Sequence, residues 1–566
     1  MKKILLLLLI ITIKSYSQQP SIEWGGSIGS IYFDYANDAS ITLNGDILVT
    51  GGYALDIDLD FGAGTHILNG MSYSDAYISK YDGSGNILWG VSFANNNNCF
   101  GVGIDTDSSG NVYSVGEFFN TIDFDPGPNT FNLTGTAIGP YPNRNIYISK
   151  LDVNGNFVWA KKIGGDNSMG IRALKVDTNG NSYITGYFNK PITFPDNTTL
   201  TPLNQNDANN FDIFIAKLDT AGNLLWAKQI GSGSIVQRAE SIALDNSGNI
   251  YLGGQFHNTV DFDPGDSQHM VNPQSTNSTD LFILKLDSNG NFIWVKSLGG
   301  DNSSNRAYDL AIDNTENLYL TGSFSNTIDF DPSAGSHIIS DPGTHPFLLK
   351  LNNSGNFEWV KNFSGNGEGR SIKVNLDNSV CVTGGFRMTC DFSGGNGTAI
   401  HTSNGGLDIF MSEYSSNGSL NWVKCIGGTD DDTGVSITNN SSGDIYSFGN
   451  FMGSASINTS LDDLSLTSQG NQDQDIFILK ISETLRTENF LKNKLSVYPN
   501  PASKEIHIKF PKTFSNGNIN IYSTKGQIVK NCKIKKTINI ENLAKGQYII
   551  KAFIRNQEIS TKLIIE

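Results

Sequence analysis

Cysteine is scarce. The 566 residues contain five, Cys99, Cys381, Cys390, Cys425 and Cys532, odd in number and scattered. None stands in a Cys-x-x-Cys pair of the kind that holds zinc, and no disulfide framework follows from them. They read as small buried hydrophobes, with Cys381 and Cys390 placed so that they could bridge within one repeat. Charged residues are also few, at 17%, and no stretch keeps the 3.6-residue period of an amphipathic helix, which excludes bundles and coiled coils. After the first residues no apolar run approaches the ~20 residues needed to cross a bilayer. Gly-x-Ser-x-Gly, His-Glu-x-x-His, a phosphate loop and a dinucleotide fingerprint are all missing, and the histidines offer no catalytic pairing. The chain therefore reads as a non-enzyme, although acids brought together from distant repeats leave no trace in sequence spacing.

Basic charge is missing where a nucleic-acid partner would need it. The formal charge is −16, yet Leu495 to Glu566 hold twelve Lys and Arg against four Asp and Glu. Residues 1–494 thus carry −24, or near −27 without Lys2, Lys3 and Lys14. Phosphate backbones are bound by basic surfaces, so no nucleic acid is expected. At the start of the chain, Lys2 and Lys3 precede an apolar run from Ile4 to Ile13, and Ser15 and Ser17 occupy the −3 and −1 positions of a cut before Gln18. Residues 1–17 are read as a secretory signal peptide. No Cys follows the run to carry a lipid.

What the sequence has in abundance is glycine, 60 residues, and a repeat. All seven Trp share one register, Trp24, Trp89, Trp159, Trp226, Trp294, Trp359 and Trp422, at intervals of 65, 70, 67, 68, 65 and 63. Six are preceded by variants of Asp-x-Phe-Ile-x-Lys-Leu-Asp-x-x-Gly-Asn-x-x-Trp, as in Asp212 to Trp226 and Asp280 to Trp294. After each come two further strands around Asp-x-x-Gly-Asn-x-Tyr, as in Leu244 to Gly254. We name the strand before that turn A, the Tyr-bearing strand B, the Phe-Ile strand C and the Trp strand D, four per repeat, the size of a propeller blade. The first repeat unit is an orphan D around Trp24, whereas the last, ending at Asp475 to Ile481, lacks a D. The fold expected is all-β: a seven-bladed β-propeller over residues 18–481, closed by its N-terminal strand. The pattern resembles the bacterial β-propeller repeat families of exported proteins, a resemblance that implies a fold and hardly any activity.

After a linker over 482–494, residues 495–566 alternate apolar and polar positions in short strands, as at Ile506, Ile508 and Phe510, and are expected to form a small Ig-like β-sandwich. Tyr498-Pro499-Asn500-Pro501, Ile521-Tyr522 with Gly526, Leu543 with Gly546-Gln547-Tyr548, and the terminal strand resemble the C-terminal sorting domain of the type IX secretion system of the Bacteroidetes. That resemblance implies passage across the outer membrane, the type IX machinery as partner, and a secreted or outer cell-surface location.

The Asp-x-x-Gly-Asn turns lack the ligand density of a calcium loop and are explained as hairpins, with Gly-Asn tolerating positive φ. The inserts between B and C are another matter. Asp123-Phe124-Asp125, Asp261-Phe262-Asp263 and Asp329-Phe330-Asp331 recur before Pro, with Asp58-Leu59-Asp60 as a looser copy. Residues i and i+2 of a strand share a face, so each pair projects two carboxylates together, part of a Ca²⁺ site of about six to eight oxygens. Turn-forming Asp beside Pro-Gly is the plainer reading, and Ca²⁺ is the one cofactor considered. His269 and His337 each stand seven residues after the insert Phe, where the second repeat has Phe131. Strand direction puts the D-to-A and B-to-C connections on one face of the ring. Arg238, Arg306 and Arg370, each seven residues before an Asp of the A-to-B turn, are expected at the channel mouth on that face and, with the acidic inserts, to bind ligand. The expectation is a monomeric binding or adhesion module for an extracellular carbohydrate or protein. The alternatives are an extracellular polysaccharide hydrolase or lyase on the same scaffold, which would break the repeat with unique polar residues at the channel, and a structural surface component, which would self-associate.

Overall fold

The structure, a computed structural model, describes residues 20–482 and 496–565 apart from 71–73, 94–96, 139–140, 166–168, 205–206, 208, 233–236, 277, 396–397, 459–461, 471–472, 510–517, 524–526, 534 and 555–556. The expected signal peptide, and the expected linker after Ser482, lie outside the described residues. The chain divides into two compact units, Met1–Glu483 and Thr484–Glu566. No helix occurs among the described residues.

The first unit contains seven antiparallel sheets whose core strands run A-B-C-D, as in Tyr35–Ile41, Ile47–Tyr53, Asp75–Tyr81 and Ile87–Phe93 of the first blade. Strands B and C are buried on both faces because each blade is sandwiched between neighbours, which accounts for their unbroken apolar runs. The seventh sheet is made from both ends of the unit: Ser21–Ile28 pairs antiparallel with Gln474–Ser482, placing Trp24 opposite Lys480. The orphan D strand is thereby the outer strand of the last blade and pairs the edge that Gln474–Ser482 would otherwise leave open.

The Trp period reflects a contact between blades. Trp89, Trp159 and Trp359 donate their indole N–H to the carbonyls of Val153, Thr220 and Ser416, at 3.0–3.1 Å, in the C-to-D turn of the following blade. The Gly of that turn lies under the indole: a Cβ at Gly155 would meet Trp89 at 3.0 Å, and one at Gly222 would meet Trp159 at 2.9 Å. Both glycines also have positive φ, so the turn requires glycine twice over. Trp24 lies against Gly85 of the first blade across the closure, beside Phe61, but its indole N–H is buried without a hydrogen-bond partner among the described residues.

The sixth blade departs from this pattern for a physical reason. Its neighbour is the seventh, whose C and D strands come from opposite ends of the unit, so no C-to-D turn exists to receive Trp422. Trp422 is buried and donates instead to Glu413 Oε2 at 2.7 Å, and Glu413 stands where the other blades have Lys. Four of those lysines reach an Asp of the A-to-B turn, as in Lys150 with Asp107 at 3.3 Å and Lys80 with Asp46 at 3.0 Å, while Lys350 pairs with Glu358. In the sixth blade the turn opens with Asn375 and needs no cation. Asp462 then locks the seam: its carboxylate accepts the N–H of Ile22 at 2.7 Å and the Lys424 ammonium at 2.5 Å, with both charged side chains buried.

The second unit has seven strands among its described residues, in sheets of three and four. Ile506, Ile508, Ile519, Ile521, Ile538, Ile550, Leu563 and Ile565 form its core, the alternate positions of each strand facing inward, as a small sandwich requires. All five cysteines are free thiols, so Cys381 and Cys390 do not bridge.

Candidate binding site at the channel mouth

The innermost strands surround a central cavity of about 400 Å³. Each carries a bulge at the same place, where one extra residue leaves the ladder. From the first blade to the seventh, those residues are Asn37, Val102, Arg172, Glu240, Tyr308, Arg370 and Val435, and all line the cavity. A repeated backbone device thus presents five kinds of side chain at seven equivalent positions, and the charged ones come from blades three, four and six.

Around these bulges the mouth on the loop-rich face is strongly polar. Arg172 pairs with Glu240 (Nε to Oε2, 3.0 Å), while Gln255 donates to the other oxygen of Glu240 at 3.0 Å. Arg172 and Arg238 both lie over the ring of Tyr187, at 4.8 and 4.9 Å from its centroid. One blade further, Tyr308 donates its hydroxyl to Glu368 Oε2 at 2.6 Å, Arg370 pairs with Glu368 Oε1, and the Arg370 guanidinium lies 4.7 Å from the Tyr308 ring centroid. Arg306 reaches only the Tyr308 hydroxyl, at 3.4 Å. Beside this network Arg144 pairs with Glu117 at 3.1 Å; burial pushes the Glu117 carboxyl above its ordinary value, against the pull of Arg144 and Arg172.

Deeper in the channel, carboxylates join neighbouring A strands. Asp38 accepts the N–H of Ile104 at 3.0 Å and Asp309 that of Ile372 at 2.9 Å, each reaching into the following blade. Burial pushes Asp38 up to about 7 and raises Asp309. Lys175 lies 3.4 Å from Asp105, and that carboxylate, with Asp38 and Asp309, raises the Lys175 ammonium above its ordinary value. These groups join neighbouring blades around the cavity.

Arg238 and Arg306 open the A strands of blades four and five, opposite Gln255 and Ser323, in one register. Arg370 differs. The A-to-B turn of its blade begins at Asn375, not at Asp377, so counting seven residues back from Asp377 lands two positions further along the strand, on the bulge. The residue in register with Arg238 and Arg306 is Glu368. The acidic inserts are not part of this site. Each folds as a hairpin whose first strand meets the end of strand D in the preceding blade, as Gly231 does with Asp261 and Gly299 with Asp329. They therefore line the outer edges of the blades, while the arginines lie at the inner edges.

Nor do the insert carboxylates make the expected Ca²⁺ sites. Asp123 Oδ1 accepts the N–H groups of Asp125 and Phe131, Asp261 Oδ1 those of Asp263 and His269, and Asp329 Oδ1 those of Asp331 and His337, at 2.7–3.1 Å. Asp125, Asp263 and Asp331 cap the next turn through Gly127, Gly265 and Ser333. Oxygens facing N–H donors serve the turn, and Phe124, Phe262 and Phe330 between them are fully buried. Among the described residues no group of three or more His, Cys, Asp or Glu converges as a metal site. His269 and His337 stack on Phe292 and Phe357, and Phe131 packs on Phe157, one shared packing position.

In the second unit, Asn500 reads the backbone of the terminal strand: its Oδ1 accepts the N–H of Ile564 and its Nδ2 donates to the carbonyl of Lys562, both at 2.8 Å. Flanked by Pro499 and Pro501, it fixes the last strand to the start of the domain. Tyr548 donates to the carbonyl of Ala544 at 2.7 Å, and Gly546 pairs with Ile565. Tyr498 is exposed beside His507, and Gly526 lies outside the described residues. Residues 496–566 match the secretion system C-terminal sorting domain family. The match marks the chain as one secreted through the type IX system to the cell surface or the extracellular space, and implies contact between this domain and that machinery.

The propeller unit is similar to an uncharacterized WD repeat-containing protein of Acanthamoeba polyphaga mimivirus, 23% identical over 390 residues, or 60% of this chain. The aligned part spans 28% of that relative's length. Among solved structures, a protein of unknown function from Bacteroides caccae is 11% identical, with a TM-score of 0.32 over 67% of this chain and 93% of its own. The extracellular domain of a hybrid two component system of B. thetaiotaomicron is 13% identical, with a TM-score of 0.23 over 94% of this chain and 72% of its own.

Proposed function

We propose that this secreted propeller is a binding module that takes an extracellular ligand at the loop-bearing mouth of its channel and holds it without turning it over. The observation that carries the reading is the ring of bulges: one backbone feature repeated seven times exposes a side chain that varies from blade to blade, with Arg172, Glu240, Tyr308 and Arg370 on consecutive blades. Such asymmetry on a symmetric scaffold fits recognition of one particular ligand. The same asymmetry is what a hydrolase or lyase would need. Binding is favoured because Glu240 and Glu368 each have both oxygens engaged by neighbouring side chains, leaving no free acid and base pair at the mouth among the described residues. The test is retention of the purified secreted protein on an immobilised panel of polysaccharides and matrix proteins, followed by analysis of the eluted ligand. Specific retention, abolished by Tyr308→Ala with Arg370→Ala, and recovery of intact ligand are expected. Release of shortened or unsaturated saccharides would move the protein to the enzymes, and concentration-dependent self-association without any retention would move it to the structural components.

A further inference from the structure

The guanidinium groups at the mouth outnumber their acceptors. Four arginines, Arg172, Arg238, Arg306 and Arg370, share two carboxylates, Glu240 and Glu368. Arg172 and Arg370 take those partners. Among the described residues Arg238 makes no ion pair, and its Nε is buried without a hydrogen-bond partner. Arg306 has only the 3.4 Å approach to a hydroxyl that is already donating to Glu368. The two arginines with spare donors thus occupy the same strand position on adjacent blades. An uncompensated guanidinium is a planar fork of N–H donors suited to a carboxylate or sulfate, and stacking of Arg238 over Tyr187 fixes its plane in advance.

This local excess of positive charge stands out because residues 1–494 carry −24. The unit as a whole therefore repels anions at long range, and any selection for them has to be made by contact at the mouth. The tyrosine rings have guanidinium groups over them and are poorly available as platforms for a neutral sugar ring. Resting on the binding role argued above, we propose that Arg238 and Arg306 recognise the carboxylates of an acidic polysaccharide, one uronate group for each guanidinium. A polyuronate carries one charge per sugar and hydroxyl groups between charges, and those hydroxyls can donate to Glu240 and Glu368. A run of acidic peptide side chains carries no hydroxyl donors between its charges for those two glutamates.

The test is titration of the purified secreted protein with polygalacturonate, with a neutral glucan and with polyglutamate, for the wild type and for Arg238→Gln, Arg306→Gln and the double variant. Loss of a charge-assisted hydrogen bond weakens binding by roughly tenfold or more. Polygalacturonate affinity should fall about tenfold in each single variant and further in the double, with thermal unfolding unchanged. Arg238→Lys, which keeps the charge but not the fork, should recover only part of the loss. Wild-type polygalacturonate binding unaffected by the double variant would overturn the proposal. Binding of polyglutamate or neutral glucan in preference to polygalacturonate would overturn it too, while leaving the binding role standing. Retention of no ligand on the wider panel would defeat the binding role itself.

Discussion

Removing Asp462 should loosen the ring at its seam. The carboxylate is 2% exposed, its partner Lys424 is 5% exposed, and it also holds the N–H of Ile22 in the closing strand. In Asp462→Ala the Lys424 ammonium stays buried without a counter-charge and the Ile22 N–H loses its acceptor. Breaking a buried pair from one side costs about 3–5 kcal/mol, whereas replacing both partners by apolar residues of similar size is close to neutral. The prediction is a marked fall in the thermal midpoint of Asp462→Ala, an intermediate fall in Asp462→Asn, which keeps an acceptor for Ile22, and near recovery in Lys424→Met with Asp462→Leu. Limited proteolysis should cut Ser21–Ile28 earlier in the single variants than in the wild type. A change below about 1 kcal/mol in Asp462→Ala, or a double variant as damaged as the single, would refute the reasoning.

Acidification from pH 8 to pH 6 should stabilise the propeller. Burial pushes Asp34, Asp38, Asp432 and Asp475 up to about 7, so the folded state binds these protons more tightly than the unfolded chain; their contribution is complete below the unfolded value and is lost as the pH rises through 7. Thermal midpoints measured across that range check the sign. Gly299→Ala should destabilise by about 1–3 kcal/mol, because the new Cβ would lie 2.1 Å from the buried Asp280 carboxyl, and Asp280→Ala in the same chain should remove most of that penalty on thermal denaturation. Asn500→Ala should cost the terminal strand about 1 kcal/mol and reduce the amount of protein recovered from the medium relative to the cells.

The blade pattern was legible because its causes are local and repeat. Trp must sit over a turn glycine of the next blade, and the glycine after strand D must make room for the carboxylate that opens strand C, as Gly299 does for Asp280. Both demands recur at fixed spacing. The departures were visible but unexplained in sequence: Glu413 in place of Lys makes sense only once Trp422 is seen to face a blade with no C-to-D turn. The mouth was half legible. Arg238 and Arg306 were found from their distance to a turn. In the sixth blade the same count lands on the bulge, because the turn begins two residues earlier, so Arg370 faces the mouth from a different strand position. Arg172, Glu240 and Tyr308 sit on bulges, which reverse the facing of a side chain and leave no compositional mark, and Glu368 is hidden by the earlier turn of the sixth blade. Aligning the seven A strands on the first residue of each A-to-B turn would have revealed them. The turn chemistry of the Asp-Phe-Asp inserts is local and visible in sequence, but their position at the outer edges depends on pairing with the preceding blade, which no sequence spacing conveys.

Hydrogen exchange of the secreted protein with and without a ligand retained from the panel tests the central claim most directly. The account predicts slowed exchange at the start of the A strands Arg238–Leu244 and Arg306–Ile312 and in the loops leading into them. Protection confined to the tight A-to-B turns on the opposite face, or to the insert hairpins at the outer edges, would contradict it.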